Sequence, residues 1–321
     1  TIAYPAFLHS SHSPSRLFRL TAMHLHDRFA TFLSASEIIE ATPALLNDQR
    51  RRFVSSPDIV LQPNSVESVQ KIMRFCFENR IRVTPQGGNT GLCGATVTTE
   101  GVLLNLSKLN RIRDINLADN SMTVEAGVIL QNAQKAAAEA GRLFPLSLAS
   151  EGSCQIGGNI ACNAGGLNVL RYGSMRDLVL GLEVVLPNGE LVSHLQPLHK
   201  NTTGYDLRHL FIGSEGTLGI ITAATLKLFA QPKTKATAWV GLDDIESAVS
   251  LLTAVQGHFA ERLISFELIS RFALDLSSEF SQLKKPADAE WHILIELADS
   301  IPDAGLDEKL AEFLYQNGWE N

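Results

Sequence analysis

The sequence predicts an α+β protein made of two units, a larger one closing near Pro232 and a smaller one running on to Asn321. Three observations carry this. From Pro57 onward, short apolar β-like runs alternate with amphipathic helical segments. Thirteen of the 23 glycines sit in three stretches, 85–94, 152–166 and 204–219, which together span only 41 residues. After Gln231-Pro232 the composition changes, and a β-α-β…β-α order of short elements suggests an incomplete ferredoxin-like unit, lacking its last strand. The expected division is 1–54 as an N-terminal extension with a lead helix, 55–232 as the glycine-rich domain, and 233–321 as a partial second domain.

Bulk properties narrow the function. A chain of 321 residues is long enough for two cores, and 45% hydrophobic with 19% charged residues is ordinary for a globular protein. A net charge of −7 without a long basic patch argues against nucleic acid or an anionic membrane as partner. No apolar run approaches the ~20 residues that cross a bilayer. Cys76, Cys93, Cys154 and Cys162 show no CxxC spacing and follow no secretory signal. They read as small buried hydrophobes in a reducing, cytoplasmic compartment.

Residues 1–26 carry Arg16, Arg19, serines and histidines, with no acid before Asp27. This fits a mitochondrial transit peptide, or sequence ahead of a start at Met23, and the second reading is preferred. Ser34 and Glu37 form a capping pair expected to open a helix toward Leu46. Asp58–Gln62 reads as a strand, and Asn64 with Glu67 as the cap of a helix whose Val66, Val69, Ile72, Met73 and Cys76 share a face. Strands follow at Gly101–Leu106 and Met122–Ala126, then a helix from about Ile129 to Ala140 that Gly141 ends. Leu180–Leu186 and Glu190–Leu195 flank Asn188-Gly189, a strong hairpin signal. A strand to Phe229 closes the unit. Beyond it come strands at Ala236–Leu242, Ile264–Leu268 and Trp291–Leu297, and helices at Ile245–Phe259 and Leu306–Asn317.

The first glycine stretch, Pro85-Gln86-Gly87-Gly88-Asn89-Thr90-Gly91, follows a β-like segment that Pro85 halts. Glycine lets the chain turn sharply while a ligand approaches the main chain, and successive N–H groups in such a turn form a nest for anions. Gln86, Asn89 and Thr90 add side-chain donors to the same place. It is neither a P-loop nor a Rossmann fingerprint, since the Lys-Ser/Thr pair and the G-x-G-x-x-G spacing are missing. Loops that only turn have no reason to concentrate glycine three times. Three glycine-rich ribbons meeting at one elongated ligand do, and a cofactor with a pyrophosphate and flat rings suits them better than a small substrate.

The runs PQGGNTGL, GSCQIGGNIACNAGG, RYGS and GYDLRHLFIGSEGTLGIIT resemble the vanillyl-alcohol-oxidase-type flavoenzymes with a PCMH-type FAD domain. Among these, the chain is most similar to the D-2-hydroxy-acid dehydrogenases: D-2-hydroxyglutarate and D-lactate dehydrogenases and the glycolate oxidase flavoprotein subunit. The likeness covers roughly residues 55–300.

The resemblance implies two α+β subdomains around an extended, non-covalently held FAD. It places the pyrophosphate on Pro85, Gln86, Gly87, Gly88, Asn89, Thr90 and Gly91. It runs Gly152, Ser153, Ile156, Gly157, Gly158 and Asn159 beside the pyrophosphate and flavin, and continues through Cys162, Asn163, Gly165 and Gly166. It sets Glu215, Gly216, Gly219, Ile220 and Ile221 on the adenosine and ribose. Ile156, Ile160, Ile212, Leu218 and Ile220 also read as core, and Arg171 and Tyr172 as packing or flavin contacts. Lys200 and Asn201 remain as candidate flavin neighbours, whereas His194, His199, His209 and His292 are scattered surface or core residues. The implied reaction oxidises a D-2-hydroxy acid to the 2-oxo acid, passing hydride to flavin N5 and electrons onward to a quinone or an electron-transfer flavoprotein. The family's substrate arginine, base and metal-binding histidines belong to a region after the cap, so the catalytic residues and any divalent metal are expected beyond Asn321. The chain alone is therefore expected to be inactive. The alternative is an FAD-binding electron-transfer subunit of a multi-subunit oxidase, in a homodimer or with a companion subunit.

Overall fold

The computed structural model describes residues 25–281 and 287–319, so the readings of 1–24 lie outside the described residues. A helical turn over 25–30 (α1) places Phe29 in a core of the first unit. That core forms around a four-stranded sheet of β1 (Ile38–Ile39), β2 (Ile59–Leu61), β3 (Val83–Gln86) and β4 (Val102–Asn105), ordered β1-β2-β4-β3. The last three strands run parallel, and β1 is antiparallel to β2. A connection between parallel strands must cross over, which is the role of α3 (Val66–Asn79). Its buried Val69, Ile72, Met73 and Cys76 are the predicted apolar face.

Two expectations for the lead region need correction. No helix runs from Ser34 to Leu46: a 3-10 turn (Ala35–Glu37) gives way to β1, and α2 is only Pro43–Leu46. Ile38 and Ile39 are β-branched and pair with Leu61 and Val60, and Thr42 before Pro43 is held extended at ψ 155°. The cap of α3 is Ser65 rather than Asn64. Ser65 Oγ accepts from the Ser68 N–H at 3.1 Å, while the Asn64 N–H donates to Glu37 Oε1.

The second sheet is antiparallel and ordered β5-β6-β10-β8-β9, with β5 Ile112–Asn116, β6 Ser121–Glu125, β8 Val179–Val185, β9 Leu191–His194 and β10 Ile220–Lys227. Short β7 (Arg142–Leu143) and β11 (Phe229–Ala230) pair separately. The predicted hairpin is β8–β9, with Gly189 at φ +82° in its turn. Helices α4 (Leu130–Glu139), α5 (Ile156–Ala161), α6 (Val169–Tyr172) and α7 (Met175–Leu178) cover this sheet and share its core. Strand β5 was not foreseen, because a largely exposed edge strand reading Ile-Arg-Asp-Ile-Asn has no apolar alternation.

After α8 (Arg208–Phe211) and β10, the last unit is an antiparallel sheet of β12 (Thr234–Leu242), β13 (Leu263–Ser270) and β14 (Trp291–Asp299), ordered β12-β14-β13. Helices α9 (Ile245–Phe259) and α11 (Leu306–Gln316) fill one core with it. An unforeseen α10 (Arg271–Ser281) follows β13. The β-α-β…β-α order and the 1-3-2 strand arrangement are those of a ferredoxin-like unit without its fourth strand.

Candidate cofactor site

Every one of the three glycine stretches touches another. A Cβ placed on Gly88 would lie 2.1 Å from Ser153 O, and one on Gly216 would lie 2.3 Å from Pro85 Cγ. The Gly213 N–H donates to Ile160 O at 3.1 Å, and the Glu215 N–H to Ala161 O at 2.9 Å. Together they wall one groove. Pro85, Gln86, Gly87, Ala95 and Thr96 supply one side, and Gly157, Gly158, Ala161 and Cys162 the next. Glu215, Gly216, Gly219, Ile220 and Ile221 supply the third, with Leu106 and Ala126 between.

The glycines are there for two reasons. Gly88, Gly157 and Gly219 are forced by the protein's own packing, since a Cβ would meet Ser153 O, Ala126 Cβ at 2.6 Å and Val184 Cγ1 at 2.7 Å respectively. At Gly158, which lines the groove, no protein atom lies within 4 Å of that position. A side chain there would enter the groove, so packing alone does not require glycine. Gly91 is equally open.

The main-chain N–H groups of Gly87, Gly88, Asn89, Thr90 and Gly91 make no hydrogen bond among the described residues. Five consecutive unspent donors beside a groove suit an anionic ligand. Asn89 holds the loop in that shape at φ +54°. Its Nδ2 donates to Ala44 O at 3.0 Å and Asn47 O at 2.7 Å, and its Oδ1 accepts from Thr96 Oγ1 at 2.8 Å. Strain of this kind persists only where the surroundings impose it.

Not every expected side chain faces the groove with a free donor. Gln86 is buried and its Nε2 donates to Leu45 O at 2.9 Å, so its amide and that of Asn89 tie the loop to the lead segment instead of adding phosphate donors. Ile156 is wholly buried in the core, and Asn159, also buried, turns its Nδ2 toward Cys154 Sγ. Asn163 Oδ1 accepts from Ser174 Oγ and the Arg176 N–H, fixing the start of α7. Gly152 and Ser153 lie on an exposed turn, where Ser153 Oγ donates to Ser150 O. Gly165 abuts Val169, and Gly166 backs onto Ser147 O. Arg171 and Tyr172 pack: the Arg171 Nη1 donates to Ala298 O at 2.6 Å, and the Tyr172 ring sits edge-on to Phe229.

Asn201 lines a neighbouring cavity with His194, and that cavity's Val184 and Phe211 abut Gly219. Among the described residues, none of the histidines lines the groove. His292 is buried, with its Nδ1 accepting from Trp239 Nε1 at 3.1 Å. His199 Nε2 lies 2.7 Å from Asp119 O, and His209 Nε2 lies 3.3 Å from Asp206.

Among the described residues, the groove's lining includes Glu215 and no lysine or arginine. Ala95, Thr96, Leu106, Ala126 and Ala161 belong to the lining without having been foreseen, being small or apolar and unmarked in the sequence. Gln155 falls inside the 149–159 run expected to pass beside the cofactor, though it was not singled out. Its Nε2 donates to Ser107 Oγ at 2.9 Å, while its buried Oε1, close under Gly87, lacks a partner among the described residues. Cys76 and Cys154 are buried as expected, but Cys93 and Cys162 are exposed, which corrects the reading of all four as core residues. Among the described residues, no group of three His, Cys, Asp or Glu is placed to hold a metal.

Comparison with known proteins gives this arrangement its context. Residues 57–194 match the FAD binding domain family, and residues 231–316 match the C-terminal domain of FAD linked oxidases. The chain is 37% identical over 295 residues to the D-2-hydroxyglutarate–pyruvate transhydrogenase of Saccharomyces cerevisiae, covering 89% of this chain and 59% of the relative. It is 40% identical over 269 residues to the mitochondrial D-2-hydroxyglutarate dehydrogenase of Danio rerio, covering 83% of this chain and 50% of the relative. A putative mitochondrial D-lactate dehydrogenase of Schizosaccharomyces pombe is 36% identical over 256 residues, covering 79% and 49%. The chain spans about half the length of the curated relatives it matches. Among solved structures, an alkyldihydroxyacetonephosphate synthase superposes with a TM-score of 0.75 at 17% identity, covering 95% of this chain and 61% of its own. A p-cresol methylhydroxylase superposes at 0.73 and 17%, covering 95% and 65%. These two share the fold. The cofactor is FAD, and the open main-chain donors, the room at Gly158 and the convergence of three ribbons fit it.

Proposed function

We propose that this chain, an FAD-binding flavoprotein of the PCMH type related to the D-2-hydroxy-acid dehydrogenases, holds the cofactor of an enzyme that oxidises a D-2-hydroxy acid to the 2-oxo acid. The observation that carries this reading is the row of five N–H groups at Gly87–Gly91, unspent among the described residues, which starts at Gly87 in the wall of a groove that all three glycine stretches line. FAD supplies the hydride acceptor. The N–H groups of 87–91 take the pyrophosphate, open Gly158 leaves space for the cofactor to pass, and Glu215 accepts hydrogen bonds from ribose hydroxyls. Residues 55–232 form the cofactor domain, and 233–321 the part of the substrate domain present here.

A 2-hydroxy acid needs a cation for its carboxylate, and among the described residues the groove's lining offers none. The chain therefore carries the cofactor half of the reaction. The names of two of the relatives favour a mitochondrial over a cytoplasmic setting. An absorbance scan of the purified chain reconstituted with FAD tests the site, and a bound flavin spectrum near one per chain is expected. A protein that leaves all flavin in the filtrate overturns the reading. Anaerobic addition of D-lactate, D-2-hydroxyglutarate and glycolate tests the division of labour. Little or no bleaching is expected, and rapid bleaching by any of the three places the substrate residues within this chain.

A further inference from the structure

Arg50-Arg51-Arg52 is the only run of three consecutive lysines or arginines in a chain whose net charge is −7. All three residues are exposed, and the Arg50 and Arg51 side chains enter no ion pair or hydrogen bond among the described residues. Adjacent like charges repel one another, and here no surface carboxylate is spent on neutralising them. The one acid of this turn, Asp48, is buried.

The run is held in a fixed place. It lies on a reverse turn closed by the Asn47–Val54 bridge and by the Ser55 N–H, which donates to Leu46 O at 2.8 Å. Asp48 fastens the tip from inside. Its Oδ1 accepts from the Phe53 N–H at 2.8 Å, its carbonyl accepts from the Arg51 N–H at 2.9 Å, and Arg51 stands at φ +55°.

This turn meets the first glycine stretch at three points. Asn89, in the middle of the N–H row, donates through Nδ2 to Asn47 O at 2.7 Å. Arg52 Nη2 donates to Leu92 O at 2.7 Å, and a Cβ on Gly94 would lie 3.3 Å from the Phe53 ring. Leu92 directly follows Gly91, the last residue of the N–H row, so the Arg52 guanidinium touches the residue next to that row. Arg50 and Arg51 are at most about 8 Å of chain from Arg52, inside a Debye length of about 10 Å at 0.1 M salt.

The arginines supply what the groove lacks. Among the described residues its lining holds Glu215 and no basic side chain. A chain of net charge −7 repels the doubly charged pyrophosphate of incoming FAD from a distance. The N–H row is a set of dipoles, which act at short range, whereas a guanidinium acts over a Debye length.

We propose that Arg50 and Arg51 are the collecting point for the cofactor: they draw the pyrophosphate of FAD to the edge of the first glycine stretch, from which it passes to the N–H groups of 87–91. The inference rests on the cofactor reading above and adds the residues that set the rate of capture. Arg52 has a separate part, because its bond to Leu92 O helps to hold the stretch in position. Capture and retention are therefore separable, the first set by Arg50 and Arg51 and the second by the N–H row.

The test is stopped-flow binding of FAD to the flavin-free chain, followed by quenching of flavin fluorescence. It is run at ionic strengths of about 0.01 M and about 1 M, where the Debye length is about 30 Å and about 3 Å. At low salt, Arg50→Gln/Arg51→Gln is expected to slow association at least about fivefold, and Arg50→Glu/Arg51→Glu to slow it further, with dissociation within about twofold of the parent. At high salt the association rates of all three proteins are expected to converge to within about twofold. Arg74→Gln/Arg80→Gln removes the same charge at α3 and is expected to change association less than about twofold. Equal slowing by both glutamine pairs overturns the proposal, since net charge alone would then account for it. Unchanged association in the Arg50 and Arg51 variants overturns it too, as does an effect confined to dissociation. A parent that binds no FAD at either salt sinks the cofactor reading and this inference together. A parent that binds FAD, with variants that match it, sinks this inference alone.

Discussion

At the scale of single residues, the two kinds of glycine in the groove make opposite predictions. A Cβ at Gly158 meets no protein atom within 4 Å, so Gly158→Val adds atoms to the groove on the proposed path of the cofactor. Its FAD dissociation constant is expected to rise at least about tenfold, with unfolding stability within about 1 kcal/mol of the parent. Gly88 is the reverse case, because a Cβ would sit 2.1 Å from Ser153 O, a main-chain atom that cannot step aside. Gly88→Ala is expected to cost roughly 1–3 kcal/mol of stability in urea denaturation, whether or not flavin is present. Equal stability losses in the two variants would show that Gly158, too, serves packing. That the glycine stretches meet could be read from their concentration in the sequence. The roles of Gln86 and Asn89 could not. Their partners Leu45, Ala44 and Asn47 lie about forty residues upstream, in and just after the short helix α2, whose approach was misread as one continuous helix from Ser34.

At the scale of elements, legibility followed the balance between local and distant forces. The β8–β9 hairpin is dictated by Asn188-Gly189, and α9 by its own cap, Asp244, whose carboxylate accepts from the Ser247 N–H at 2.6 Å. Strand β5 is dictated from afar. It is held to the sheet by Arg111 and Arg113, which reach buried Glu125 on β6, while Arg113 also pairs with Glu183 on β8. Burial alone would raise the Glu125 carboxyl, but hydrogen bonds from the Arg111 side chain and N–H, with the charges of Arg111 and Arg113, outweigh it and hold the group below its ordinary value of 4.5. A carboxyl depressed on folding adds stability above its unfolded pKa and loses it as pH falls through the folded one. The parent is therefore expected to lose stability more steeply than Glu125→Gln on acidification from about pH 5 to about pH 3. At neutral pH that variant is expected to be weaker by roughly 1.5–3 kcal/mol, the worth of charged hydrogen bonds lost. Parallel stability–pH curves for the two proteins would remove Glu125 from the account.

At the scale of the whole molecule, the question is what fixes the second unit against the first. Helix α6, the Val169–Tyr172 segment of the RYGS run, packs on β13, and the Arg171 guanidinium crosses to the Ala298 carbonyl at the end of β14. The same guanidinium lies over the Tyr172 ring, 5.2 Å from its centre, and Tyr172 is buried against Phe229 just before the chain enters the second unit. One arginine therefore connects the groove's own domain, the connecting segment and the second sheet. Asp299, next to Ala298, is held ionised first by the Ile301 N–H and then by Arg262, with Arg171 adding its charge, so the end of β14 is an ionic corner. Arg171→Met keeps an apolar stem against Tyr172 and removes only the polar reach. Since a hydrogen bond from a charged group contributes about 1.5–3 kcal/mol, the loss is expected to fall on the contact between the units, leaving either core intact. Limited proteolysis should then cut near Gln231-Pro232 faster than in the parent, and heating should separate two transitions that the parent shows as one. FAD affinity should stay unchanged, because Arg171 is not among the residues that wall the groove. A variant that binds FAD less tightly while its two units still unfold together would mean that Arg171 acts on the cofactor and not on the joint between the units.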